Sequence, residues 1–276
     1  MTRRNRGHAR LLMRVVRRSF YIAILAAALL SLLGAVAMAD TLIGTDGPER
    51  LQGTPSPDQL YGEAGDDVLD GLGGNDFIEA GPGNDQVDAG GGLDLVVGGT
   101  GNDQVDGSVG DDAVYAGAGD DLVLGGHGAD TLFGQDGSDR LFGGSGPDRI
   151  YASLGADFVD AGSDDDTVFA DGSDITILAA GGDDVVSATG GPITVEGGGG
   201  ADRIRTGAAG DRVSGGPGGD SIATGAGDDH IEAADGRRDR VRCGTGRDTV
   251  VADRIDLLKG CESISAPTAA RPALIG

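Results

Sequence analysis

Aspartate recurs every nine residues: Asp58, Asp67, Asp76, Asp85, Asp94, Asp103, Asp112, Asp121, Asp130, Asp139, Asp148, Asp157 and Asp166, then Asp184, Asp202, Asp211, Asp220 and Asp229. These fill 18 of 20 consecutive slots, and the two that fail hold Ile175 and Ile193. Two residues after every slot stands an aliphatic side chain, from Leu60 and Leu69 through Ile177 and Val195 to Ile222 and Ile231; two before it is usually Gly. The unit is G-G-x-G-x-D-x-(aliphatic)-x, as in Gly98–Asp106 and Gly125–Phe133. Such a pattern suits a hard divalent cation. Calcium takes six to eight oxygens, and a turn whose glycines adopt closed or left-handed conformations can aim several carbonyls at one point while the Asp balances charge.

The repeat resembles the hemolysin-type, or RTX, calcium-binding nonapeptide family over about residues 44–251. That resemblance implies an all-β fold, a parallel β-roll in which two nonapeptides make one 18-residue coil. Each repeat then supplies a six-residue turn and a three-residue strand. It also implies multiple calcium ions between turns stacked one coil apart, held by the Asp carboxylates and loop carbonyls.

The residues set the energetics. In a short x-(aliphatic)-x strand the single apolar side chain turns inward, so the core is a thin ladder of Leu, Ile and Val. Each such side chain contributes about 1.5–3 kcal/mol on burial, against about 1–2 kcal/mol of backbone entropy for every residue ordered. Stacked Asp residues about 4.8 Å apart repel by roughly 1 kcal/mol per pair in water and more when partly buried. A divalent ion between them reverses that sign, so calcium binding and folding become one equilibrium. A Gly-rich disordered linker would share this composition but would not hold the aliphatic register.

With 18 residues per coil, alternate slots fall on opposite edges. Asp67, Asp85, Asp103, Asp121, Asp139, Asp157, Asp211 and Asp229 share one edge, which also contains Ile175 and Ile193; the other ten share the second. The two isoleucines predict a local calcium-free patch on the first edge. Weaker half-sites are expected at Asp58, after Ser56, and at Asp166, where Asp164 replaces the usual Gly. Near the C-terminus the register shifts by one, to Asp239 with Val241 and Asp248 with Val250, and the motif then fades.

All seven cationic residues of the first 39 lie in a stretch without acids, which leaves 14 basic against 45 acidic side chains in residues 40–276. A body so acidic disfavours nucleic acid and anionic lipid, which need clustered Lys and Arg. The apolar run Phe20–Leu33 and the small residues up to Ala39 read as a signal peptide over 1–39, cut after Ala39. The run is shorter than the roughly 20 residues of a membrane span, the competing reading. Arg17-Arg18-Ser19-Phe20-Tyr21 resembles a twin-arginine export motif, and a plain Sec signal fits equally. The protein is therefore expected outside the cell, with no membrane span in the mature chain.

Cys243 and Cys261, 18 residues apart in an exported chain, suggest a disulfide; free thiols or a metal pair are the alternatives. The expected organisation is a signal peptide (1–39), roll repeats (40–242), a disulfide-linked C-terminal cap (243–265) and a disordered tail (266–276).

No catalytic constellation emerges. His127 and His230 read as surface residues, and the Gly-Gly-x-Gly runs lack the following helix and Lys of a phosphate loop. The expected function is a secreted, non-enzymatic calcium-binding module, structural or surface-interacting, with an extracellular glycan or protein as its partner. The alternative is a carbohydrate-acting or carbohydrate-binding module. Its only surface signal is Phe133, Tyr151 and Phe169, one coil apart on one edge.

Overall fold

A computed structural model of the protein describes residues 40–267. The leader expected over 1–39 lies outside those residues, as does nearly all of the tail expected after 266. The described chain is all-β: 26 short strands form two 13-stranded parallel sheets, one from odd-numbered and one from even-numbered strands. Each coil thus contributes one strand to each sheet, giving the β-roll. No helix among the described residues is long and apolar enough to cross a membrane.

The register follows the repeat. Leu60 pairs with Ile78 and Ile78 with Val96 in one sheet; Leu69 pairs with Val87 and Val87 with Val105 in the other. Every aliphatic residue two after a slot, from Leu60 to Ile231, is at most 4% exposed, so the two sheets close on a continuous file of Leu, Ile and Val.

The strands are longer than three residues at many positions, reaching six at Leu95–Thr100, Ala113–Ala118 and Thr131–Asp136. A second inward position explains this. Four residues after the slot stands Ala or Gly, as at Ala80, Ala116, Gly125 and Ala161, except after Asp202 and Asp220, where Thr206 and Thr224 stand; these three alanines are fully buried. The alternation of a strand returns this side to the interior, where the coil closes toward its turn and only a small residue fits.

The turns enter the left-handed region at two places, usually with glycine, although Glu63, Leu72, Ser108, Gln135 and Ala180 hold the first of them at φ of 70–74°. In the turn before Asp103, Gly99 and Gly101 both have φ of 122°, and at Gly101 a methyl group would strike the carbonyl of Gly83 in the preceding coil. Both positions lie in conformations that L side chains rarely adopt.

The C-terminal cap is a further coil rather than a separate cover. Leu257–Lys259 pairs with Arg240–Arg242, and Ser263–Ser265 pairs with Thr249–Val251, so both sheets run to the end. The coil spacing becomes irregular there: Ser221 pairs with Arg240, Arg240 with Leu257 and Thr249 with Ser263. Cys243 and Cys261 are joined by a disulfide with Cα atoms 5.2 Å apart. Cys243 is fully buried in the small-residue position four after Asp239, so the bridge ties the last coil to the interior of the roll.

Candidate metal centre: two carboxylate ladders

The slot aspartates form two ladders along the roll, one of them interrupted between Asp157 and Asp211. On one edge the amide of Asp58 donates to Oδ1 of Asp76 at 2.7 Å, Asp76 to Asp94 at 2.7 Å and Asp94 to Asp112 at 2.8 Å, and the series continues through Asp130, Asp148, Asp166, Asp184 and Asp202 to Asp220. On the other edge the same bond links Asp67, Asp85, Asp103, Asp121, Asp139 and Asp157, and then Asp211 and Asp229. The backbone thus fixes one oxygen of each carboxylate.

The second oxygen is left over. All 18 slot aspartates are at most 3% exposed, and Oδ2 of every one except Asp58 has no hydrogen-bond partner. An orphaned buried carboxylate oxygen is costly, and native folds tolerate it where something else takes the lone pair. The surroundings of Oδ2 are oxygen-rich. A methyl on Gly107 would lie 2.6 Å from the Gly125 carbonyl of the next coil and 2.9 Å from Oδ2 of Asp112. At Gly125 the corresponding atoms are the Gly143 carbonyl at 2.6 Å and Oδ2 of Asp130 at 2.5 Å. Among the described residues no three His, Cys, Asp or Glu side chains cluster, so any metal here would draw most of its donors from carbonyls. An all-oxygen set with one or two carboxylates is hard-cation chemistry and offers no soft ligand.

Burial sets the charge state of the ladder. Desolvation pushes the carboxyl pKa up to about 7 at Asp94, Asp112 and Asp148 and to about 8 at Asp166. The donated backbone N–H pulls each value down, and neighbouring carboxylates push it up again; at Asp166 these are Asp148, Asp184 and Asp164. A bound cation would remove the repulsion and favour the ionised form.

The ladders extend beyond the 20 slots at both ends. Asp40 donates to Asp58 and Glu49 to Asp67, so both occupy slots ahead of the first one counted. Leu42 and Leu51, two residues on, pack against the core as the repeat requires. At the other end the bonds run from Asp220 to Asp239 and Asp239 to Asp256, and from Asp229 to Asp248 and Asp248 to Glu262. Oδ2 of Asp239 and of Asp248 is also buried without a partner. The ladder therefore does not stop at Asp248.

Asp58 and Asp166 differ in kind. Oδ2 of Asp58 accepts from the Thr54 amide at 2.5 Å and from its hydroxyl at 3.0 Å, so its turn closes on itself. Oδ2 of Asp166 remains open, and Asp164 keeps the glycine-like conformation of its position with φ of 84°. At the interruption Ile175 and Ile193 pair with each other and are buried, with no carboxylate in either slot.

The histidines lie outside the ladders. His127 Nδ1 is 2.6 Å from Ser145 Oγ, and His230 Nδ1 is 2.9 Å from Thr249 Oγ1. The aromatic file is longer than three residues: Tyr115, Phe133, Tyr151 and Phe169 stack in sequence at 4.5, 4.6 and 5.1 Å between centroids. Tyr115 shares their place, three residues after a slot, and the same one-coil spacing would have found it.

A search among curated proteins returns no match. The family model of the RTX calcium-binding nonapeptide repeat matches residues 43–78, 70–105, 97–132, 106–141, 133–168, 178–213, 205–238 and 214–250. The stretch passed over, 169–177, contains Ile175, where the first edge loses its carboxylate. On sequence and on fold, the chain belongs to the RTX calcium-binding nonapeptide-repeat family.

Proposed function

We propose that this chain is a secreted, non-enzymatic calcium-binding roll whose folding is coupled to calcium and which serves as a structural or surface-interaction module. The slot aspartates from Asp67 to Asp229 would hold the ions together with carbonyls of the neighbouring turns. Asp239 and Asp248 would contribute at the C-terminal end, and Asp58, whose Oδ2 is held by Thr54, would form a weaker half-site. The observation that carries this reading is the repeated unpartnered Oδ2, buried beside a carbonyl of the next coil. When bound, calcium supplies positive charge between stacked carboxylates and completes their coordination. The chain itself fixes each Oδ1 through a backbone N–H, excludes water from the ladder and holds adjacent turns in register.

The carbohydrate-binding alternative gains little from the aromatic file. Its rings lie against one another with interplanar angles of 6°, 9° and 16°, so their faces are occupied by neighbouring rings. Native mass spectrometry of the folded chain should show many calcium ions per molecule and no comparable series with magnesium, which resists dehydration and demands octahedral geometry. A chain that binds one or two ions, or binds magnesium equally, would contradict the reading.

A further inference from the structure

The mature chain is strongly acidic, yet its positive charge is not spread evenly. On the outer face of the odd-strand sheet two side-chain files run along the roll toward the C-terminus. One passes from Arg203 through Ser221 to Arg240 and Leu257; the other passes from Arg205 through Ala223 to Arg242 and Lys259. The five cations are exposed, and none lies within ion-pair distance of a carboxylate among the described residues. No acid stands in either file. Among the acids of this region, Asp220 and Asp239 are buried in the ladder, and Asp228 pairs with Arg247 at 3.0 Å.

Strand geometry sets the size of the array. The files are about 6.6 Å apart, and each coil advances about 4.8 Å, so the five charges cover a strip about 14 Å long. The buried ladder carboxylates make no direct contact with a ligand lying on it.

We propose that this face binds a linear acidic polysaccharide bearing carboxylate or sulfate groups, laid along the roll axis. Charge complementarity selects a polyanion, and Arg offers bidentate hydrogen bonds to carboxylate or sulfate oxygens. The strip's narrowness selects a single extended chain. A membrane plane would also meet the exposed carboxylates Asp183 and Asp235 on the flanking turns, where like charges repel. A single-stranded nucleic acid is held by aromatic platforms, and neither file has an aromatic residue between Arg203 and Lys259. The four arginines and the lysine stand outside the carboxylate ladders, so this site is separate from the calcium sites and needs calcium only through the fold.

Isothermal titration of the full chain in saturating calcium tests this, using a sulfated glycosaminoglycan oligosaccharide and an oligouronate as probes. Neutral dextran, single-stranded DNA and anionic phospholipid vesicles are run beside them. The proposal expects salt-sensitive binding to the acidic oligosaccharides and none to dextran. Arg205→Gln with Arg242→Gln should weaken it roughly ten-fold or more, because charge-assisted contacts are lost. Arg205→Lys with Arg242→Lys, which keeps the charge but not the bidentate hydrogen bonds, should weaken it less than the Gln pair does. Arg50→Gln with Arg140→Gln, on the other sheet, should leave it unchanged. Circular dichroism confirms that each variant is folded, and the salt dependence of the unaltered chain stands as evidence if the Gln pair is not. Absence of binding, equal binding to dextran, indifference to the Arg205 and Arg242 changes, or tighter binding to DNA or vesicles would overturn the assignment. Failure here with calcium stoichiometry intact would leave the proposed calcium-binding function standing.

Discussion

Between Asp157 and Asp211 one edge of the roll has exchanged its carboxylates for Ile175 and Ile193, while the opposite edge runs unbroken through Asp166, Asp184 and Asp202. The sheets do not register the difference. Ile175 pairs with Ile193 and Ile177 with Val195 in the parallel alignment used elsewhere, and the Thr176 amide still donates to the Asp157 carbonyl at 2.9 Å. Coil formation and the presentation of a carboxylate are thus carried by different positions of the repeat. The aliphatic residue two after the slot holds the strand in place, and the slot decides whether the turn presents a carboxylate. Ile175 and Ile193 turn the slot itself into core, being 1% and 2% exposed.

This contrast can be broken most strongly in the core. Leu132→Ala, beside an intact ladder, and Ile177→Ala, within the interruption, should each destabilise the surrounding coils by about 2–5 kcal/mol, because both side chains are fully buried. Hydrogen exchange in saturating calcium reads this as lost protection in the flanking strands. Unaltered exchange for Ile177→Ala alone would mean that the interruption is a true break in the roll.

The next effect is confined to one end. Cys261→Ser removes a bridge whose 18-residue separation corresponds to roughly 3 kcal/mol of unfolded-chain restriction. Exchange should quicken after about Arg238 and stay unchanged in the central coils, since solenoid stability is approximately a sum of neighbour terms. Quickening throughout would show that the last coil nucleates the whole fold.

Protons should partly replace calcium. The folded-state pKa values are raised on both edges, to about 8 at Asp166, about 7 at Asp148 and about 6 at Asp184 on the unbroken edge and to about 7 at Asp121 and about 6 at Asp139 on the other. A raised carboxyl pKa penalises the ionised fold. In calcium-free protein the penalty is therefore full above about pH 8 and is relieved as pH falls through 7 and 6 toward the unfolded value near 4. Circular dichroism after exhaustive calcium removal should show β-structure increasing over that interval. A loss of structure on mild acidification would contradict the burial argument. Carboxyl NMR in the folded state should find Asp166 protonating before Asp139.

The smallest effect sharpens the edge assignment. Ile175→Asp with Ile193→Asp restores carboxylates facing Asp157 and Asp211 and should add between one and three calcium ions to the stoichiometry, one for each adjacent pair recreated. Native mass spectrometry with an unchanged count would show that these turns lack the required carbonyl geometry. Asp174, with φ of 60°, and Pro192, whose carbonyl accepts the Asp174 amide at 2.9 Å, are the residues to inspect in that case.

The central coils were readable because nine residues per half-coil leaves no freedom: the aliphatic ladder and the division into two edges follow from counting. The ends were not, because coil length varies there. Asp256 and Glu262 join the ladders over coils of 17 and 14 residues, which a fixed period cannot find. Asp40 and Glu49 keep the nine-residue period, and Leu42 and Leu51 two residues later are the signal that marks them. The small inward position four after the slot was hidden because Gly and Ala there look like part of the turn. Net charge misled in a different way. The total counts Asp residues that the roll buries, so the five cations on one face disappear into a sum that no partner meets.

The coupling of calcium to folding is tested most directly by small-angle scattering and far-UV circular dichroism on one sample, titrated from chelator into calcium at neutral pH. The account predicts that the chelated chain is expanded with little β-structure, and that it compacts and gains β-signal together as calcium rises, with magnesium a poor substitute. A chain with the same radius and spectrum in chelator and in calcium would contradict it, since the buried carboxylate ladders would then stand without a cation.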